Sequence, residues 1–183
     1  PVDAYKDQRI MAVSGIGNPH SFTQTLTDIG YNVVHTLPFG DHHDFTNDDV
    51  VDIWKEAFAH QADAICIAHH RDDSVETILL NLIRGTGMRG LVGIRPKNSN
   101  IVRPMLDCSR HEIELFLKEK GVNFVTDSTN LIDDVKRNKL RLNVIPELRK
   151  MNPSFDNAVM CMANNVNEAN KIIFSTLESA FSS

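Results

Sequence analysis

Short apolar runs alternate with amphipathic segments through the first two-thirds of the chain. Apolar runs bounded by polar residues predict β-strands at Arg9–Val13, Tyr31–Phe39 and Ala62–Ala68. Apolar residues at helical spacing predict helices at Pro19–Gly30, from Thr46 or Asn47 to about His60, and at Ser74–Arg84. Further along, the pattern predicts a short strand in Asn100–Leu106, a helix over Ser109–Gly121, a strand at Asn123–Val125, and helices over about Val135–Met151 and Pro153–Phe181.

This alternation of strands and helices predicts an α/β fold. We expect a mainly parallel sheet of roughly four or five strands with flanking helices, followed by a helical C-terminal region. The α/β domain is expected over residues 1–130 and the helical region over residues 131–183. The strands Ile10–Val13, Val33–Leu37 and Ala64–Ala68 are predicted to be the central ones.

Composition narrows the class of protein. Apolar residues make up 42% of the chain and charged residues 23%, values that are typical of a soluble globular protein. The sequence has no run of membrane-spanning length and no secretory leader, so we expect a cytoplasmic protein without membrane contact. Cys66, Cys108 and Cys161 are odd in number and far apart, which predicts three buried thiols in a reducing compartment. The oligomeric state stays open, with a homodimer as one alternative.

Charge is distributed unevenly along the chain. The first sixty residues hold three basic and nine acidic side chains, whereas Lys136–Lys150 holds six basic and one acidic. The net charge of −5 disfavours nonspecific nucleic-acid binding by the whole surface. The basic segment is either a solvated helix face or a strip that contacts phosphates, and charge alone favours the solvated face.

Polar side chains crowd the segment AHHRDDSVET, which ends the third predicted strand and starts a helix. Acidic residues suit the first turn of a helix, and Asp73 with Glu76 resembles a capping box, so part of the acidity has a local explanation. His69 and His70 have no such explanation. Open α/β sheets bind ligands where strand ends face helix N-termini, and carboxylates suit Mg²⁺. We therefore predict that His69, Asp72, Asp73 and Glu76 line one cleft.

Three motifs in this order carry a family resemblance. HHxDDxxET is followed by RPMLD at Arg103–Asp107 and by RNKLR at Arg137–Arg141. Together they resemble the tRNA(Ile)-lysidine synthetases, over about residues 57–175. The resemblance implies an ATP-pyrophosphatase fold, with a nucleotide-binding-like α/β domain. It also implies an enzyme that adenylates the wobble cytidine of an isoleucine tRNA and then joins L-lysine to it, with ATP, Mg²⁺ and tRNA as further ligands.

The resemblance also implies roles for individual residues. Those that match HHxDDxxE would face the base, the lysine and Mg²⁺–ATP: His69, His70, Asp72, Asp73 and Glu76. Asp73 and Glu76 are the expected Mg²⁺ ligands. In the basic segment, the residues expected to hold phosphate or RNA are Lys136, Arg137, Lys139 and Arg141. Because arginines offset the charge of a leaving pyrophosphate, the resemblance favours the phosphate-contacting interpretation of this segment.

The start of the chain departs from that family. A lysidine synthetase has a phosphate loop of the type SGGxDS, whereas this chain has SGIGNP, with Ile16 and Asn18 in place of a glycine and an aspartate. We assign Ser14, Gly15 and Gly17 as ATP contacts, because backbone N–H groups and a following helix N-terminus bind phosphate. Weak ATP binding is expected, since Ile16 adds bulk and Asn18 removes a carboxylate.

A second resemblance covers Arg9–Trp54. There AVSGIGNPHSF followed by DHHDF is similar to the C-terminal part of the lipid A 4′-kinases (tetraacyldisaccharide kinases). It would place Asp41, His42 and His43 near a phosphoryl-transfer site, although a turn before a capped helix also explains them. The P-loop that such a kinase needs, GxxxxGK[ST], does not occur in the sequence.

The chain therefore resembles two partial enzymes joined near residues 54–59. Three functions follow, in this order: a tRNA-modifying ligase with impaired activity, a non-catalytic α/β module carrying remnants of two sites, and a fragment of a lipid A kinase.

Overall fold

The computed structural model describes residues 5, 7–15, 18–40, 45–119, 121 and 135–181. The strands are β1 (Arg9–Ser14), β2 (Asn32–Pro38), β3 (Ala64–Ile67), β4 (Lys97–Asn98) and β5 (Ile101–Val102). The helices are α1 (Pro19–Asp28), α2 (Asn47–Ala59), α3 (Arg71–Arg84), α4 (Arg110–Glu119), α5 (Val135–Lys139), α6 (Ile145–Met151) and α7 (Phe155–Phe181). A 3₁₀ helix spans Met88–Val92, and a π-helical turn over Leu140–Val144 lies between α5 and α6.

The chain forms two compact units. The first comprises the described parts of residues 1–70 and 96–133, and the second comprises residues 71–95 with the described part of 134–183. The first unit holds the whole sheet, α1, α2 and α4, and the second holds α3, the 3₁₀ helix and the last three helices. The predicted α/β class with a mainly parallel sheet and a helical C-terminal region is therefore confirmed.

The sheet has the strand order β2-β1-β3-β5-β4. All neighbouring pairs are parallel except β4 with β5. Both faces of β1 are covered, because Ile10 and Ala12 pack with Phe22 of α1, whereas Met11 and Val13 belong to the cluster that contains Ile53 of α2. Burial on both faces explains why the central strand RIMAVS is continuously apolar from Ile10 to Val13.

Several predicted boundaries and positions were wrong. The strand predicted as central at Val33–Leu37 is an edge strand, and α3 begins at Arg71, three residues before Ser74. The strand predicted in Asn100–Leu106 contains only the two residues of β5, because Pro104 has no N–H to donate to a ladder. The antiparallel strand β4 and the 3₁₀ helix were not predicted. The strand predicted at Asn123–Val125 lies outside the described residues.

Helix caps were predicted more reliably. Thr46 caps α2 in a reciprocal capping box with Asp49, and Ser109 does the same for α4 with Glu112. Gly85 follows α3 with a φ of +79°, the left-handed conformation that favours glycine after a helix. None of the described helices combines the length and apolar character needed to cross a membrane.

Only one of the three cysteines is buried. Cys66 lies inside β3, whereas Cys108 and Cys161 are exposed, so the prediction of three buried thiols was wrong for two of them. The apolar pattern around Cys66 fixed its burial, while the flanking residues of the other two gave no comparable signal. Burial raises the pKa of the Cys66 thiol to about 12, which keeps it protonated and unreactive near neutral pH.

We expect two thiols per chain to react with Ellman's reagent at pH 8 under native conditions, and three after denaturation. The Cys66→Ala variant is the matched control, since it should keep the native count of two and lose one from the denatured count. A native count of three, or a native count reduced by the Cys66→Ala change, would contradict the burial of this thiol.

Candidate functional site

The first unit has a topological switch point between β1 and β3. From β1 the chain passes to β2 on one side, and β3 then pairs with β1 on the other side, with Val13 opposite Ile67. Ligands of open α/β sheets bind outside the carboxyl ends of strands at such a point. The described polar residues that follow these two strands are therefore the first candidates for a binding site.

Ser14 and Gly15 follow directly from this position on β1. Ser14 is fully buried, and among the described residues its Oγ has no hydrogen-bond partner. Its carbonyl oxygen accepts a hydrogen bond from the Phe39 N–H at 2.7 Å. Gly17, the third predicted phosphate contact, lies outside the described residues, as do Asp41, His42 and His43.

Asn18 has a structural task in this loop. Its Oδ1 accepts a hydrogen bond from the Ser21 N–H at 3.2 Å, and its carbonyl oxygen accepts one from Ser21 Oγ at 2.8 Å. Asn18 is thus the N-cap of α1, with Pro19 at the first helical position. The loop leads straight into a helix N-terminus, which favours anions, although Pro19 contributes no N–H.

His69 follows β3 and is held by an arginine. Arg103, directly after β5, donates a hydrogen bond from its Nε to His69 Nδ1 at 3.1 Å. Because Nδ1 is the acceptor, a neutral His69 carries its proton on Nε2. Burial lowers the pKa of Arg103. His70 comes next in the chain and is half-buried.

Arg103 is a site residue to which the sequence assigned no role. It is the first residue of the motif RPMLD, so its identity was visible as part of the family resemblance. What the sequence did not reveal is that β5 pairs with β3, which brings the residue after β5 close to the residue after β3. One signal could have identified Arg103 as a site residue: it directly follows the two apolar residues of a short strand in a predicted parallel sheet.

In the second unit, Glu76 is the most buried charged residue of the predicted set. Only 1% of its surface is exposed. Arg141 donates to both carboxylate oxygens, from Nε at 2.6 Å and from Nη2 at 2.8 Å, and Arg137 Nη1 lies 3.7 Å from Oε2. A bidentate arginine–carboxylate pair of this kind is among the stronger and more directional hydrogen-bonded contacts in proteins.

The other two carboxylates of α3 also face arginines. Asp73 lies 3.9 Å from Arg141 Nη2, and Asp72 Oδ1 accepts a hydrogen bond from Arg149 Nη2 at 2.7 Å. Arg149 Nε donates in addition to Asp156 at 2.8 Å. Burial lowers the pKa of Arg149, but the hydrogen bonds and charges of Asp156 and Asp72 outweigh it, so the pKa is raised overall.

These contacts change the interpretation of the acidic cluster. The alternative explanation of Glu76, a capping box with Asp73, is wrong, because the residue lies inside α3 and its carboxylate binds Arg141. A Mg²⁺ ion at Glu76 would have to displace that guanidinium. Of the four basic residues predicted to bind RNA, Lys136 and Lys139 are exposed, whereas Arg137 and Arg141 are half-buried beside Glu76.

The predicted site residues thus fall into two groups. The first unit brings Ser14, Gly15 and His69 to the carboxyl edge of its sheet, and the second brings the carboxylates of α3 together with the arginines of the C-terminal helices. That His69, Asp72, Asp73 and Glu76 line one cleft remains a prediction.

Comparison with known proteins assigns the family. Residues 52–148 match the model of the PP-loop domain family, which is more than half of the chain. The chain belongs to the PP-loop domain family. The model of the tetraacyldisaccharide-1-P 4′-kinase family matches residues 2–76, so the two matched ranges overlap over residues 52–76.

The chain is similar to tRNA(Ile)-lysidine synthases of several bacteria. It is 53% identical to that of Bacteroides thetaiotaomicron over 116 residues, which is 61% of this chain and 27% of the relative. It is 50% identical to that of Parabacteroides distasonis over 117 residues, 64% of this chain and again 27% of the relative. The chain therefore spans about a quarter of the length of the curated relatives it matches.

A solved structure supports the fold. The U34-tRNA thiolase NcsA from Methanococcus maripaludis, determined with its [4Fe-4S] cluster, superimposes with a TM-score of 0.63 over 91% of this chain and 75% of that one. The two chains are 13% identical, so this likeness concerns the fold alone.

Replacing Arg141 with methionine should lower the free energy of unfolding by about 3 to 5 kcal/mol, because it leaves the Glu76 carboxylate buried without its bidentate partner. The double variant Glu76→Gln/Arg141→Met should recover part of this stability, since it contains no unpaired buried charge. Urea denaturation of the parent, both single variants and the double variant gives the coupling free energy of the pair.

Lys171→Ala provides the matched control, because Lys171 forms an ion pair with Glu168 in which both side chains are about two-thirds exposed. Its removal should change the free energy of unfolding by less than about 0.5 kcal/mol. An Arg141→Met variant as stable as the Lys171→Ala variant would show that Arg137 or water compensates fully for Arg141.

Proposed function

We propose that this chain is the nucleotide-handling part of an ATP-dependent carbon–nitrogen ligase of the tRNA(Ile)-lysidine synthetase type. The proposed reaction is adenylation of the wobble cytidine of a tRNA by ATP, followed by attack of the L-lysine amino group. The observation that carries the proposal is the bidentate pair between Glu76 and Arg141. Glu76 belongs to the motif HHxDDxxET, and Arg141, 65 residues later in the chain, belongs to the motif RNxxR. The pair therefore joins the two motifs into one ion-pair network.

The residues divide the proposed work by their chemistry. Ser14, Gly15 and the N-terminus of α1 suit the phosphates of ATP, because N–H groups and the helix dipole bind anions. In the Arg103–His69 contact Nδ1 is the acceptor, so a neutral His69 carries its proton on Nε2 and has the chemistry of a donor to the base or to a phosphate oxygen. Arg137 could offset the charge of the departing pyrophosphate.

The donor chemistry around α3 fits Mg²⁺, which prefers carboxylate oxygens. Asp73 is the proposed ligand, because it supplies carboxylate oxygens from the first turn of α3. Glu76 would join it only if Arg141 moved away from its oxygens. When bound, Mg²⁺ would neutralise the phosphate oxygens of ATP. The chain's own part is to hold the carboxylate in place through the arginines of the C-terminal helices.

A non-catalytic α/β module is the second candidate function. Its support is that polar groups of both motifs have structural tasks: Asn18 caps α1 and Glu76 is covered by Arg141. A fragment of a lipid A 4′-kinase is the third, and it rests on the family match over residues 2–76. That two family-like parts join near residues 54–59 remains part of this proposal. Strands from both parts, β1, β2 and β3, form one continuous sheet.

Mg²⁺–ATP should bind the chain at least about tenfold more weakly than it binds the full-length Bacteroides thetaiotaomicron relative, a difference of about 1.4 kcal/mol. The reason is the loop SGIGNP, in which Ile16 and Asn18 stand where a glycine and an aspartate belong. The Ile16→Gly/Asn18→Asp variant should bind more tightly than the parent chain. Isothermal titration measures both constants.

The control for this titration is Gly87→Ala, in a second glycine-rich segment where an added Cβ meets open space. It should bind Mg²⁺–ATP like the parent chain. No binding by either the parent or the restored loop would favour the non-catalytic module, and binding by the parent as tight as by the relative would contradict the proposed impairment.

RNA contact is better tested on the two exposed lysines than on the arginines, because removal of Arg141 is also expected to destabilise the second unit. The Lys136→Ala/Lys139→Ala variant should bind tRNA more weakly. Its slope of log K against log salt should be shallower by about 0.7 to 0.9 for each phosphate that it no longer neutralises. Filter retention across a salt series measures both quantities.

Lys118→Ala/Lys171→Ala is the matched variant, since it removes the same charge from two other exposed lysines. Its salt slope should equal that of the parent. Equal slopes for both double variants would mean that the segment from Lys136 to Lys150 is a solvated helix face.

A further inference from the structure

Two histidines and a glutamate that belong to neither family motif lie together in the first unit. His35 comes from β2, Glu56 lies in the last turn of α2, and His60 is the C-cap of that helix. Glu56 Oε2 lies 3.5 Å from His35 Nε2 and 3.4 Å from His60 Nε2. The two imidazole rings are stacked, with centroids 3.9 Å apart and planes 6° from parallel.

We propose that His35, Glu56 and His60 bind a Zn²⁺ ion. Imidazole nitrogen and carboxylate oxygen are both ordinary zinc ligands, at about 2.0 to 2.2 Å from the metal. With bonds of that length, two ligand atoms of a tetrahedral site lie about 3.3 to 3.5 Å apart. The two N···O distances of this cluster have that value, and its three donor atoms all lie within 4.8 Å of one another.

Hydrogen bonding alone explains the geometry less well. A good N–H···O hydrogen bond measures about 2.7 to 3.2 Å, and both contacts with Glu56 are longer. A cation held between the two Nε2 atoms and the carboxylate fits these longer separations, because each of the three groups then donates a lone pair to the metal.

Local contacts fix two of the three ligands before any ion arrives. Glu56 and His60 are four residues apart and share one face of α2. Arg9 clamps the end of this helix, donating from Nη2 to the His60 carbonyl oxygen and from Nε to the Gln61 carbonyl oxygen, both at 2.9 Å. Arg9 also opens β1, so the last turn of α2 is tied to the central strand of the sheet.

His35 is fixed by the sheet itself. It lies opposite Met11 in the parallel ladder between β1 and β2, and Met11 is fully buried. Strand and helix therefore each hold the backbone of their ligand residues in a rigid element, which favours a metal site. Between 28% and 43% of each ligand side chain is exposed, so water completes the coordination of the ion.

Binding requires both rings to turn out of their stacked arrangement. A metal ion lies in the plane of each imidazole that binds it, and two parallel planes have no common line. The rings must tilt about their χ2 angles until both Nε2 lone pairs converge on one point. The bound ion would then join the edge strand β2 to α2 and stabilise the first unit in proportion to its occupancy.

The experiment is a Zn²⁺ titration of the tag-free 183-residue chain after removal of metal with a chelator. We expect saturable Zn²⁺ binding that raises the midpoint of thermal unfolding and that EDTA reverses. Each of His35→Ala, His60→Ala and Glu56→Gln should weaken Zn²⁺ binding at least about tenfold. Loss of a residue that only supports a metal ligand already lowers affinity by about that factor, so loss of a ligand should lower it at least as much. Titration with Co²⁺ gives a second readout, because histidine-bound Co²⁺ absorbs in the visible.

The matched control is the His20→Ala/His111→Ala variant, which removes two exposed histidines elsewhere in the first unit. It should bind Zn²⁺ like the parent. Glu56→Gln keeps the size of its side chain, so it tests the site even if an alanine variant fails to fold. Absence of saturable binding, or equal affinity in the parent and in Glu56→Gln and His60→Ala, would overturn the proposal.

Discussion

The contact between Glu76 and Arg141 organises the second unit. Glu76 is almost completely buried, and a buried carboxylate without a partner costs several kcal/mol. Both of its oxygens are covered by one guanidinium whose planar fork matches their geometry. Because the two residues come from distant parts of the chain, α3 and the basic helical segment can occupy few relative positions that satisfy this charge. The pair therefore specifies an arrangement within the unit more than it adds net stability.

Apolar packing supports the same arrangement. Val75 and Leu80 of α3 form one cluster with Leu140 and Ile145 of the basic segment. The π-helical turn over Leu140–Val144 starts beside Arg141, and such turns often occur at functional positions, since they re-aim a side chain within a continuous helix. The charged pair and the apolar cluster thus constrain the same two segments, one by hydrogen-bond geometry and the other by burial.

The sequence by itself determined the α/β class and the residue types of the site. Runs such as RIMAV and ADAICIA are almost continuously apolar, a pattern typical of a parallel strand that is buried on both faces. Helix starts at Thr46 and Ser109 followed from short-range capping, which depends on residues three apart. The motif HHxDDxxET identified the carboxylates, because a strand end followed by acidic residues is a local feature of the chain.

Only the tertiary structure decided which partner each charge has. Glu76 has the spacing of a capping residue, and nothing near it in sequence reveals that its partner is Arg141. The contact of Arg103 with His69 likewise depends on β5 pairing with β3, and the cluster of His35 with Glu56 and His60 combines a strand and a helix. Local patterns fix periodicity and caps because the interacting groups are close in sequence. Ion pairs and ligand sets join distant segments, and their geometry exists only once the chain has folded.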